Sequence, residues 1–169
     1  MRRNYAAIYL MLLMIQMVIC NYFRLGPYVL VSVLPAMVLC IPLRYSTLSA
    51  MLIAFFTGLC VDLLAEGLIG LNTVALVPVA YIRRGLCRLI FGDELIERGN
   101  DFSIDKNGIS KVIFAVTLSN ALFLVIYIAA DGGAAMPVVF NLIKFIVSLA
   151  VAILLSIVIT DVSKPDDGR

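Results

Sequence analysis

Apolar residues follow one another along this chain in long unbroken runs, without the 3.6- or 2-residue alternation that patterns a soluble core. Six runs stand out, at roughly residues 5–22, 28–43, 46–64, 68–82, 112–130 and 136–160. Their lengths approach the roughly 20 residues that cross a hydrocarbon layer as helix, and lipid admits only helices or closed barrels because no water is there to satisfy the backbone. Strand-like dyad alternation is absent. The pattern predicts an all-α polytopic membrane protein, a six-transmembrane-helix bundle in which residues 1–169 form a single integral membrane domain. The second and fourth runs are short and carry Pro35 and Pro78, each of which leaves a backbone carbonyl without its helical partner, so these two helices are expected to bend or tilt. The first run follows Arg2 and Arg3 as a signal peptide would, but it lacks a small-residue cleavage site and is expected to remain as an anchor helix.

Composition points the same way: 63% of residues are hydrophobic and 14% charged, against about a quarter charged in a soluble domain. The formal net charge of +2 implies no nucleic-acid surface, because the basic residues lie between the apolar runs. Their distribution sets orientation instead. With the N-terminus in the cytoplasm, all of the 13 Lys and Arg fall inside except Arg24, which lies outside, and Lys144, which lies within a span. Both termini are then cytoplasmic, and residues 83–111 form one sizeable cytoplasmic loop. Its opening stretch, YIRRGLCRLIF, is expected to extend the fourth helix along the interface with its arginines at the headgroups.

Asp62 and Glu66 stand one turn apart at the end of the third run. A carboxylate at mid-bilayer costs roughly 2.5–3.5 kcal/mol on insertion scales, so such a group has a partner, an aqueous cavity or a task. Two stripes of small residues end in charge: Ala50, Ala54, Gly58, Asp62 and Glu66 in the third span, and Lys144, Ser148, Ala152, Ser156 and Thr160 in the sixth. Small residues at this spacing let helix backbones approach closely, which makes Ala50, Ala54, Gly58, Ser148, Ala152 and Ser156 candidates for binding a partner helix. The opposite directions of the two helices bring Asp62, Glu66 and Lys144 toward the outer leaflet, with Asn72 and Asn141 at similar depth, and permit a Lys144–Asp62 ion pair. These groups either satisfy one another or snorkel to the headgroups, or they line an outward polar pocket or docking notch. Gln16, Ser119 and Asn120 are explained by interhelical hydrogen bonds.

Little supports catalysis or a cofactor. The chain has no histidine, and Cys20, Cys40, Cys60 and Cys87 lie in four segments without a CxxC pair, which argues against a metal site and for thiols packed as small apolar groups. No phosphate-binding glycine loop is present. An enzyme is the least favoured class.

The stretch GLCVDLLAEGLIGLNTVAL resembles the rod shape-determining protein MreD family, whose third and fourth spans are typically joined by Gly-Leu-x-x-Asp-Leu-x followed by Gly-Leu and a further apolar helix. Gly58, Leu59, Asp62, Leu63, Gly70, Leu71 and Leu76 occupy the matching places, and YIRRGLCRLIFGDE with the polar loop closing on Asn107-Gly108 looks like the Bacteroidetes branch. Glu66 departs from the pattern, where polar or small residues are more usual. The resemblance implies a non-catalytic subunit of the wall-elongation machinery in the bacterial inner membrane. It implies as partners MreC, a bitopic protein with one membrane helix, and through it MreB, RodA and its transpeptidase. It also implies the six-helix fold of the substrate-binding components of energy-coupling-factor transporters. A membrane scaffold that captures a partner helix is the expected function, with the lipid bilayer as solvent and a second copy of the chain as a further partner the pattern allows. On that reading, Gly58→Leu blocks partner capture in a protein that still folds, and Asp62→Asn does less harm. The alternative is a small-molecule-binding transporter subunit of the same fold, which needs an outward cavity lined by Asp62, Glu66, Asn72, Asn141 or Lys144. An ion-coupled exporter is disfavoured because the two halves show no inverted repeat.

Overall fold

The computed structural model describes residues 5–22, 29–43, 45–67, 69–92, 109–132 and 137–162. Among these the chain is helical, with no strand. Six α-helices are present: α1 (Tyr5–Tyr22), α2 (Leu34–Leu39), α3 (Thr47–Val61), α4 (Leu71–Phe91), α5 (Ile109–Ala130) and α6 (Val138–Val162). A wider turn, Asp62–Glu66, continues α3. Three stretches, Thr47–Ala65, Ser110–Ala130 and Val138–Ser156, are long and apolar enough to cross a membrane. That composition is compatible with a membrane protein.

Local chemistry sets several boundaries. Ser46 caps α3, its hydroxyl accepting from the Ser49 amide at 3.2 Å, which satisfies one of the donors a helix start leaves open. At the other end, Gly67 adopts φ 73° and its amide donates to the Asp62 carbonyl at 2.8 Å, closing the wide turn. Helix α4 runs unbroken through residues 82–91, as the amphipathic extension predicts, and ends at Gly92 with φ 82°. Residues 93–108, the body of the expected loop, lie outside the described residues, as do Arg2, Arg3, Arg24, Arg44, Lys164 and Arg169.

The second predicted span is corrected. Residues 29–33 are non-helical and α2 has only 6 residues, about 9 Å of helix against a hydrocarbon layer of about 30 Å. Proline explains both limits. Pro35 stands in the first turn of α2, where its missing N–H is no loss, and Pro42 follows shortly after the last turn. Leu34, Met37, Val38 and Leu39 are fully buried, and α2 packs against α4 and α5 most closely and touches α1, α3 and α6 as well. It is a plug at the centre of the bundle rather than a membrane-crossing helix.

Non-helical backbone inside an apolar bundle must find partners in the protein. Gln16 of α1 supplies two: its Oε1 accepts from the Val33 amide at 2.8 Å and its Nε2 donates to the Val31 carbonyl at 3.2 Å. Ser148 of α6 accepts from the Leu30 amide at 2.8 Å. Beyond the plug, Arg83 of α4 donates to the carbonyls of Val38 and Pro42, each at 3.2 Å. Arg84 donates to those of Leu43 and Tyr45. The expectation that the arginines of this stretch sit among headgroups is therefore wrong for Arg83, which is 1% exposed. Open carbonyls at the end of α2 draw it inward, while Arg88 on the same helix is exposed.

Candidate functional site

Antiparallel α3 and α4 form the most closely packed pair in the bundle, and Gly58 marks where they touch. A Cβ placed there would lie 2.6 Å from the Thr73 Cα and 2.8 Å from its amide nitrogen, so only hydrogen fits between the two backbones. One turn further on, the Asp62 side chain, with no exposed surface, reaches across to the start of α4. Its Oδ1 accepts from the Asn72 amide at 2.9 Å and from Asn72 Nδ2 at 3.0 Å. Its Oδ2 accepts from the amides of Gly70 at 2.9 Å and Thr73 at 3.2 Å and from the Thr73 hydroxyl at 2.7 Å.

Asp62 thus caps a helix that begins eight or more residues later. Gly70, at φ 105°, has no side chain to cap α4, and a remote carboxylate takes over three of its open amides. A helix start presents open amides and the positive end of its dipole, and the two carboxylate oxygens meet both there. Both oxygens of Asp62 are thus engaged in holding the start of α4. The motif that carries the family resemblance is, in this fold, the latch of an α3–α4 hairpin.

The expected Lys144–Asp62 pair does not form. Lys144 Nζ lies 2.7 Å from Asp131 Oδ2, in the turn after α5, and 5.8 Å from the centre of the Tyr127 ring. Of the polar cluster proposed from sequence, the structure joins Asp62 and Asn72, and it pairs Lys144 elsewhere. Asn141 stands half-buried one turn before Lys144 on α6, its amide donating to the Pro137 carbonyl at 3.2 Å. The Glu66 side chain lies outside the described residues.

The small-residue stripes face inward, which corrects their reading as a partner-binding surface. Ala50, Ala54 and Gly58 are buried in the hairpin. Ala152 is 2% exposed, Ser148 serves the Leu30 amide, and Ser156 accepts from Asn120 Nδ2 at 3.1 Å. The close approach that the spacing implies occurs, but between helices of the same chain. Gly58→Leu accordingly cannot be a mild surface change. The interhelical bond expected of Asn120 is present, Gln16 instead serves the non-helical backbone at Val31 and Val33, and the buried Ser119 hydroxyl has no partner among the described residues.

Sequence reasoning missed Arg83 as the cap of α2 and Asp131 as the partner of Lys144. Each had a signal. Adjacent arginines on a helix point about 100° apart, so one of them faces the bundle. Asp131 opens a Gly-Gly turn immediately before the helix that carries the lysine.

An apolar groove of about 360 Å³ is lined by Ile8, Tyr9, Leu10, Leu12, Met37, Cys40, Ile41, Pro42, Tyr45 and Ile53. It lies where α1 begins, α2 ends and α3 begins, the opposite end of the α3–α4 hairpin from Asp62. Comparison with family models, curated proteins and solved structures found no match to the chain.

Proposed function

We infer that this chain is a non-catalytic membrane scaffold of the bacterial wall-elongation machinery, a protein of the MreD kind that holds the membrane helix of an MreC-like bitopic partner. Its place is the inner membrane with both termini in the cytoplasm, as the basic residues favour. One observation carries the reading: Asp62, Gln16, Asn120 and Ser148 are engaged in holding the bundle together, so the surface left for work is its apolar exterior. Of the three long apolar helices, α6 has by far the most exterior: 11% of its spanning window is buried, against 39% and 44% for the other two. Leu142, Ile146 and Leu154 project from it with more than half of their surface exposed. A long, uncovered apolar helix is the natural seat for another.

The transporter-subunit alternative draws on the broken α2, since discontinuous helices often frame substrate sites. Here the Leu30 and Val33 amides and the Val31 and Val38 carbonyls at that break are met by Ser148, Gln16 and Arg83. Affinity purification from native membranes in a mild detergent separates the two readings. Recovery of a single-span, MreC-like protein is expected. A chain that emerges without it and with a stoichiometric small molecule would overturn the scaffold in favour of the transporter subunit.

A further inference from the structure

The apolar groove and the guanidinium groups of Arg83 and Arg84 meet at the same residues. Pro42 and Tyr45 line the groove, and their carbonyl oxygens accept from Arg83 Nη2 and Arg84 Nη2, each at 3.2 Å. Among the described residues neither guanidinium is paired with a carboxylate, and both Nε atoms are buried without a hydrogen-bond partner. Arg84 uses only Nη2 for these bonds, and with Nε buried it is Nη1 that still carries unassigned N–H groups. Two adjacent positive charges, each bonded to its own pair of carbonyls and with no carboxylate among the described residues, are an arrangement a phosphate resolves, because the planar guanidinium matches phosphate oxygens in pairs.

The groove is mostly apolar, and its Tyr9 hydroxyl is already engaged. The Thr57 hydroxyl donates to the Ile53 carbonyl at 2.7 Å, so Tyr9 must donate its own hydrogen to Thr57 at 2.9 Å and brings no free donor to the lining. Its volume of about 360 Å³ falls at the lower end of the range for small-ligand sites, about 300–1,000 Å³. We propose that the groove holds an acyl chain of one anionic phospholipid whose phosphate is bound by the Nη1 N–H groups of Arg84, with Arg83 adding its charge from within the bundle. A phospholipid carries an apolar chain and an anion in one molecule, which matches an apolar groove beside two guanidinium groups. Basic pockets between helices take anionic headgroups in this way. The site lies apart from the exposed face of α6 and is independent of the scaffold reading.

The test is lipid retention by the purified full-length protein, measured by native mass spectrometry with phosphatidylglycerol and phosphatidylcholine of identical chains. One phosphatidylglycerol should be retained in preference to phosphatidylcholine. Arg84→Gln should lower that preference about fivefold, the worth of one basic group near a lipid surface, while Arg84→Lys restores part of it. Ile53→Phe, which narrows the groove, should reduce retention of both lipids. Equal retention of the two lipids by the unaltered protein overturns the proposal even if a variant fails to fold. So does an equal loss of preference in Lys111→Gln, an exposed cation at the start of α5, or displacement of the lipid by millimolar inorganic phosphate, the mark of an adventitious anion only.

Discussion

Single residues decide the α3–α4 hairpin. Asp62→Asn keeps one acceptor oxygen but turns an amide N–H₂ toward backbone donors, leaving at least two of them unmet. At about 1–3 kcal/mol for each unsatisfied buried donor, a loss of about 2–6 kcal/mol is expected, read as a lower thermal midpoint in detergent. Gly58→Leu should be worse, since its Cβ alone would meet the Thr73 backbone at 2.6 Å and overpacking against backbone has no flexible neighbour to yield. The expected outcome is loss of monodisperse protein on size exclusion. Lys144→Met, by contrast, removes an ion pair with a partly exposed partner, worth at most about 1 kcal/mol, and should leave the midpoint nearly unchanged. At this scale the sequence announced that Asp62 and Gly58 mattered, through charge in an apolar run and a small residue at four-residue spacing. It did not announce with what, because the bonds of Asp62 run 8 to 11 residues ahead across a turn, outside any helical period.

Among the elements, α1, α3, α5 and α6 were legible because hydropathy and length alone mark a helix in lipid. α2 was not. The same apolar letters describe a span and a buried plug, and what separates them is Pro35 at the helix start together with polar side chains from other helices that serve the broken backbone. Gln16→Leu is nearly isosteric yet strands the Val33 amide and the Val31 carbonyl, and should cost about 2–4 kcal/mol. Ser148→Ala strands only the Leu30 amide and should cost about 1–2 kcal/mol. Because both hold one segment, the double variant should depart from additivity, which a double-mutant cycle of thermal midpoints measures. Additive losses would mean that residues 29–33 are held by something other than these two side chains.

For the whole molecule, the asymmetry of Lys and Arg predicts that single cysteines at Gly99 and at the C-terminus react only from the cytoplasm, and one at Gly133 only from outside. Labelling of Gly99 from outside would break the six-segment topology. A plug that stops short of crossing does not alter this parity if the chain enters and leaves the plug from opposite faces, as the placement of Gln16 and Arg83 at its two ends implies. The scaffold reading is tested most directly by cross-linking in native membranes. Cysteines at Leu142 and Ile146 on α6, and at Phe56 on α3 for comparison, are introduced after Cys20, Cys40, Cys60 and Cys87 have been replaced. Adducts with one single-span, MreC-like protein from the two α6 positions, and none from Phe56, are the predicted result. An adduct with that protein from Phe56 alone, or no adduct from α6 in membranes where the protein is folded, would contradict it.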